Sequence, residues 1–202
     1  DEQFRLFEET TRILPADMKV IGQYGDIYTF VWELMGFETF SFALVEDPDL
    51  VQAMFDRIGS IIYTLFERMA QFDIVGGLFY SDDIAYQTGL MMSPQALRRY
   101  LFPWMKKIGA LCQKRQMPYI YHSDGILYEV MDDLLATGIT ALQPIEPKAW
   151  DIVEVKKRYG DRLALVGNVD VDLLARATPD AIRLEVRRLI EQVGASGGYF
   201  VG

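Results

Sequence analysis

The sequence is poor in the residues that most often announce chemistry. It has one cysteine, Cys112, and one histidine, His122, in 202 residues. A single cysteine excludes an internal disulfide and fits a reducing compartment, so the chain is read as cytoplasmic. Cys112 lies between Leu111 and Gln113 in a helical pattern, where a small buried hydrophobe is the expectation. Positive charge is also scarce: 20 Lys and Arg against 29 Asp and Glu leave a net charge of −9. The basic residues are scattered over amphipathic patterns (Lys106-Lys107, Lys156-Lys157-Arg158, Arg187-Arg188), which argues against a nucleic-acid partner. No stretch approaches the roughly 18 uninterrupted apolar residues of a membrane span, and the start lacks a signal-peptide pattern, so no membrane partner is expected. No G-x-G-x-x-G follows a strand and no Walker loop occurs, which weakens dinucleotide and P-loop readings. There is no initiating Met, and the chain ends on the apolar run Gly198 to Gly202. It reads as an excerpt of a longer protein.

What is present is ordinary globular composition, 50% apolar and 24% charged, enough for one domain over residues 1–202. The periodicity predicts a helix over 3–14 stopped by Pro15, a strand at Lys19–Tyr24 and a turn at Gly25-Asp26. A short helix follows over Ile27–Gly36, placed over the domain opening as readily as in the core. Asp47-Pro48 opens a long helix with Leu50, Val51, Met54, Ile58, Ile61, Ile62, Leu65, Phe66 and Met69 on one stripe. Gly76–Tyr80 is a strand, and Ser93-Pro94 caps a helix that Pro103 should kink. Strands are predicted at Tyr119–Tyr121, Ala141-Leu142, Leu163–Val166 and Gly198–Val201. Helices are predicted at Tyr128–Ala136, Asp151–Tyr159 and from Thr178-Pro179 to Val193. Strand and helix thus alternate with mostly short linkers, the pattern of right-handed βαβ crossovers and a parallel sheet.

Several of these strands end in polar residues. Tyr119 to Tyr121 runs into His122-Ser-Asp-Gly125, Gly76 to Tyr80 into Ser81-Asp-Asp83, Ala141-Leu142 into Gln143-Pro-Ile-Glu146, and Leu163 to Val166 into Gly167-Asn-Val-Asp170. An apolar strand ending in ionisable side chains is how α/β enzymes present chemistry at the carboxyl edge of a sheet. The recurrence suits an α/β (β/α)8 TIM barrel. Such a barrel needs about 250 residues or more, so the chain would be a partial one, lacking its first segment and its extreme C-terminus. His122 suits metal ligation or general acid/base work. Asp124, two residues on, would face the same side and share a metal ion, or would cap a helix starting near Ile126. Asp82 and Asp83 face opposite ways on an extended chain, so one would enter the mouth as a catalytic carboxylate while the other caps or pairs. Glu146 sits between Ile145 and Pro147, as a mouth carboxylate or a solvated loop charge. Asn168 and Asp170 follow Gly167, which permits close approach to a ligand, and Asp170 alternatively caps a helix. Tyr80 and Tyr121 point between strands, the core packing expected of such residues, or into the mouth, where Tyr80 would touch substrate. A mouth holding so many carboxylates invites a bound cation, a cationic substrate or a raised carboxyl pKa.

Taken together, these segments resemble the uroporphyrinogen decarboxylase superfamily, which also holds cobalamin-dependent methyltransferases. The features that carry the resemblance are Ser81-Asp-Asp83 with Ser93-Pro94, His122-Ser-Asp-Gly125, Gln143-Pro-Ile-Glu146, Lys156 to Asp161, Gly167-Asn-Val-Asp170 and Gly197-Gly-Tyr199. They keep the family's order over about residues 75 to 202, whereas residues 1 to 70 match loosely. The resemblance implies the barrel with its site at the carboxyl mouth. It also implies small-molecule substrate contacts from Tyr80, Gln143, Glu146, Asn168 and Asp170, and catalytic roles for Asp82 or Asp83 and His122. Decarboxylases of the family open with an arginine-rich segment that holds substrate carboxylates, which is absent here, and have no histidine where His122 stands. The methyltransferases carry a His-x-Cys-Gly that binds zinc with a further cysteine. His122 matches its first ligand, Asp124 stands in place of the cysteine, and the further ligand would fall beyond Gly202. The favoured expectation is corrinoid-dependent methyl transfer to a metal-activated thiol, with zinc on His122 and Asp124 and methylcobalamin or a corrinoid protein as donor. The alternatives are uroporphyrinogen decarboxylation in porphyrin biosynthesis, needing no cofactor, and a non-catalytic barrel that binds a ligand or a corrinoid protein.

Overall fold

The computed structural model describes residues 4–202. In chain order the strands are β1 (Val20–Gly25), β2 (Val75–Ser81), a small hairpin of β3 (Ala85–Tyr86) and β4 (Gly89–Leu90), then β5 (Tyr119–His122), β6 (Ala141–Gln143), β7 (Ala164–Val166) and β8 (Tyr199–Phe200). All but the hairpin form one six-stranded sheet in the order β1-β2-β5-β6-β7-β8. Every neighbouring pair is parallel. Parallel strands that keep chain order, joined by helical crossovers, are the arrangement of a (β/α)8 barrel, here a partial one. The register aligns the strand ends in a row: Gly25 opposite Ser81, Ser81 opposite His122, His122 opposite Gln143. Everything that follows those four residues therefore leaves the sheet at one edge.

The helices are α1 (Arg5–Ile13), α2 (Ile27–Met35), α3 (Phe37–Glu46), α4 (Pro48–Met69), α5 (Pro94–Tyr100), α6 (Phe102–Arg115), α7 (Met131–Ala136), α8 (Ile152–Tyr159), α9 (Val171–Arg176) and α10 (Pro179–Leu189). The expected first helix begins at Gln3, which lies outside the described residues. Helix α4 starts as its sequence dictates. Asp47 accepts a hydrogen bond from the Leu50 amide at 3.1 Å, and Pro48 occupies the first turn, where its missing N–H costs nothing. Its stripe of Val51, Phe55, Ile58, Ile62 and Phe66 is buried against a core that includes Tyr28, Phe40, Leu78, Tyr80, Tyr119 and Tyr121. Burial of a side chain of this size contributes about 1.5–3 kcal/mol, so the aromatic-rich centre supplies much of what opposes chain entropy. No described helix is long and apolar enough to cross a membrane.

One local expectation is corrected and two are extended. Gly36, read as a stop, is also a start: its φ of +80° ends α2 and turns the chain directly into α3. Pro103 does not kink a continuous helix. The break falls at Leu101, and Pro103 sits in the first turn of α6, the place where a helix tolerates proline. The last helix keeps its expected extent to Val193, but widens to a π turn over Ile190–Gly194.

Candidate functional site

Beyond the aligned strand ends stand Asp26, Asp82-Asp83, Ser123-Asp124 and the loop carrying Glu146, and they divide into two layers. The lower layer is closed. Asp82 has no exposed surface. One of its oxygens accepts the Tyr28 amide at 2.7 Å and the Tyr80 hydroxyl at 2.5 Å; the other accepts the Thr29 amide and hydroxyl, each at 3.0 Å. Tyr28 and Thr29 lie in the first turn of α2, whose own N-cap, Asp26, makes no side-chain capping bond. Asp82 thus caps a helix from a distant strand, meeting the amides that a helix start leaves unpaired. Burial pushes its pKa up to about 7, against the pull of the hydrogen bonds it accepts. Tyr80 is equally buried and stacks on Tyr121 with ring centroids 5.9 Å apart, and Tyr121 donates to the Asp82 carbonyl at 2.9 Å. Of the two aspartates, Asp82 is thus the one that caps, and Tyr80 packs in the core; both lie beneath the mouth rather than in it.

The upper layer is open. Asp83 turns the other way, and its side chain is 49% exposed. One Asp83 oxygen accepts the Asp124 amide at 2.8 Å and stands 3.6 Å from His122 Nε2. Asp83, His122 and Asp124 each offer one ligand atom, and these atoms lie within 4.8 Å of one another. On its other side, His122 Nδ1 is hydrogen-bonded to Gln143 Oε1. An amide oxygen only accepts, so Nδ1 donates to it, and Nε2 is the nitrogen on the side of Asp83. Gln143 is thereby an orienting group for His122. Burial, then the charge of Asp83, raises the pKa of both Asp26 and Asp124. Crowded carboxylates of this kind are relieved by a proton or a cation.

Tight loops hold the rim. The Ser123 hydroxyl accepts the Ile84 amide at 3.1 Å and donates to the Asp124 carbonyl at 2.9 Å, tying the β2 and β5 ends together. Gly125 has a φ of +79°, and a Cβ there would stand 2.5 Å from the Ala85 backbone. Glu146 accepts the Gly125 amide at 3.0 Å and the Gln87 side-chain amide. Two adjoining hollows result. The first, about 520 Å³, is lined by Thr29, Trp32, Asp83, Tyr86, Met91, Asp124 and Glu146 among others. The second, about 320 Å³, shares Gln87, Asp124 and Glu146 with it and adds Gln143, Asn168 and Asp170. Asn168 is nearly buried and donates to the Ile145 carbonyl at 2.7 Å, while Asp170 accepts the Asp172 amide and caps α9.

Several residues at this mouth were not among those singled out in the sequence, Asp26, Trp32, Tyr86 and Gln87 among them. Asp26 carried a usable signal, since it follows a strand end as Asp82 does. Trp32 lay on the helix read as covering either core or opening, and α2 does both: Tyr28 is buried, and Trp32 lines the first hollow. Tyr86 and Gln87 belong to the hairpin, too short to show a strand period.

The family profile described as "Uroporphyrinogen decarboxylase (URO-D)" matches residues 3–202. The chain is similar to the uroporphyrinogen decarboxylase of Chlorobium phaeovibrioides, 26% identical over 197 residues, covering 92% of this chain and 52% of that protein. It is also similar to methylcobamide:CoM methyltransferase MtaA of Methanosarcina barkeri, 25% identical over 178 residues, covering 87% of this chain and 50% of that protein. A solved methyltransferase from Methanosarcina mazei shares the fold, with a TM-score of 0.77 at 19% identity, over 97% of this chain and 55% of that one. The chain spans about half the length of the curated relatives it matches. With the profile matching nearly end to end, the chain belongs to the uroporphyrinogen decarboxylase family.

Proposed function

We propose that this mouth serves corrinoid-dependent methyl transfer to a thiol, around a metal site built on Asp83, His122 and Asp124. The observation that carries the reading is the convergence of those three ligand atoms within 4.8 Å of one another. One imidazole nitrogen and two carboxylates are a donor set that zinc accepts, and three protein ligands leave a position open. Gln143 supports the fit, because it holds His122 with Nε2 free. With aspartate at position 124, the set is harder than one built on cysteine, which weakens zinc retention relative to a thiolate site. A zinc ion bound there would act as a Lewis acid that lowers the pKa of a thiol.

The chain's own residues supply the rest. Gln143 fixes the His122 tautomer, and the Ser123 bridge holds the rim against the β2 loop. Glu146 and Asp170 border the hollow where a small substrate would sit, with Asn168 steadying the loop between β6 and its helix. Binding energy spent on such rigid positioning is what an active site needs before any bond changes.

Decarboxylation of a porphyrinogen is the second reading, favoured by similarity to a uroporphyrinogen decarboxylase over 92% of the chain. The mouth's charge weighs against it. Lys148 is the sole cationic side chain among the described residues lining the two hollows. It is engaged by Asp172 at 2.6 Å, and a polycarboxylate substrate would meet Asp83, Asp124, Glu146 and Asp170 instead.

Metal content of the full-length protein, purified without chelator, tests the choice. Near-stoichiometric zinc is expected in the wild type, falling at least about tenfold in His122→Ala and Asp124→Ala. Methyl transfer from methylcobalamin to a thiol should fall with it. A metal-free wild type that decarboxylates a porphyrinogen would overturn the reading.

A further inference from the structure

We propose that the first hollow is built to hold, beside the thiol, a small alkylated cation, an ammonium or sulfonium centre bearing methyl groups. The inference rests on the reading of the mouth as a substrate site and adds the chemical class that would enter it. Two independent features point the same way.

The first is a charge count. Asp83 and Asp124 together balance one divalent ion. Glu146 lines the same hollow and contacts only neutral donors, the Gly125 amide and the Gln87 side chain. A metal on the three-residue site therefore leaves the charge of Glu146 at the mouth, and no cationic side chain among the described residues lines the first hollow.

The second is the wall. Trp32, Tyr86 and Met91 line the same hollow of about 520 Å³ as the acidic residues. A simple ammonium prefers water and point hydrogen bonds. A methylated cation spreads its charge over a greasy surface and gains from aromatic faces and polarizable sulfur. Acidic groups lining one hollow with an indole, a phenol and a thioether suit that second kind. Tyr86 is 62% exposed on its hairpin, so it holds one wall without being needed for the core.

Titration of the full-length protein, metal-loaded and metal-stripped, with choline and its neutral isostere 3,3-dimethylbutan-1-ol at constant ionic strength tests the proposal. The two probes share shape and differ in charge. Choline is expected to bind at least about tenfold more tightly in both forms of the protein. Tyr86→Ala should cost about threefold to tenfold in choline affinity and leave the isostere nearly unchanged. Trp32→Phe, which keeps an aromatic face, should cost less than Trp32→Leu. Circular dichroism of each variant separates lost binding from lost folding, and exposed Tyr86 keeps the test valid where Trp32 variants fail to fold. Equal affinity for the two probes, or no saturable choline binding at millimolar concentration, would overturn the inference. Zinc on His122 with no preference for choline leaves the metal reading standing and this one refuted. A choline preference in a protein that binds no zinc does the reverse.

Discussion

Asp82 and Asp83 are chain neighbours with the same side chain, and they occupy opposite environments a few ångströms apart. Asp82 sits under the mouth with both oxygens saturated by four donors from α2 and Tyr80. Asp83 sits on the rim, half in water, with one backbone amide and a histidine nitrogen for company. The floor is a finished network of tyrosines, amides and one carboxyl, in which every partner fixes another. The rim is unfinished, with carboxylates facing one another across open space. A satisfied polar network gives rigidity and specifies one arrangement, whereas an unsatisfied one is where a ligand finds its binding energy. On the function proposed above, the two layers would divide the labour of the site, the floor positioning and the rim reacting.

The largest expected effect comes from breaking the floor. Asp82→Ala removes the acceptor for two amides and two hydroxyls in a place water does not reach, at about 1–3 kcal/mol for each group left unpaired. Allowing for relaxation, a loss of about 3–5 kcal/mol is expected, read as a fall in the urea midpoint at unchanged slope. Because the donors belong to α2, the same variant should loosen Thr29 and Trp32, seen as faster amide exchange in the first turn of that helix. A variant as stable as wild type would mean that the cap on α2 comes from elsewhere.

A smaller effect follows from pH. Folding raises the Asp82 pKa from 3.8 to about 7, so the folded state holds a proton that the unfolded state releases. The sign is therefore the reverse of a salt-bridged carboxylate. Its contribution is complete below about pH 4 and declines as pH rises towards 7, where the buried group is made to ionise. Asp82→Asn cannot titrate. The stability of wild type minus that of Asp82→Asn should shrink from pH 4 to pH 7 and level off above. A difference that grows with pH would show that the four donors outweigh burial and hold the group ionised.

The sequence displayed the rim better than the floor. His122 and Ser81-Asp82-Asp83 stood out because a period-2 apolar run stopping at ionisable residues marks a sheet's carboxyl edge. What a strand period cannot show is which way the chain turns after the strand ends. The inward turn of Asp82 depends on amides of α2, far away in sequence, and on Tyr80, whose alternation along β2 already pointed it inward. Asp26 was hidden by being called for as a turn residue, a role it does fill with a φ of +71°. Helix α3 was hidden because Phe37, Phe40 and Phe42 follow a glycine that looks like an ending. Trp32 could be assigned to the mouth only once α2 was seen to lie across the sheet edge.

The smallest effect probes the rim. Asp83→Asn should change stability by no more than about 0.5 kcal/mol, because the site is half exposed and an amide oxygen still accepts from Asp124. Its signature is electrostatic. Burial is the first cause of the raised pKa of Asp26 and of Asp124, and the charge of Asp83 is the second. Removing that charge should let both carboxyls titrate lower in the metal-free protein, followed through side-chain carboxyl resonances. Asp82 should not respond directly, since its raised pKa comes from burial, and the neighbouring charge that acts on it is that of Asp26. A shift of Asp82 as large as those of Asp26 and Asp124 would show that the two layers titrate as one. Their separation would then be geometric only, and a cation drawn to the rim would also tighten or loosen the cap on α2.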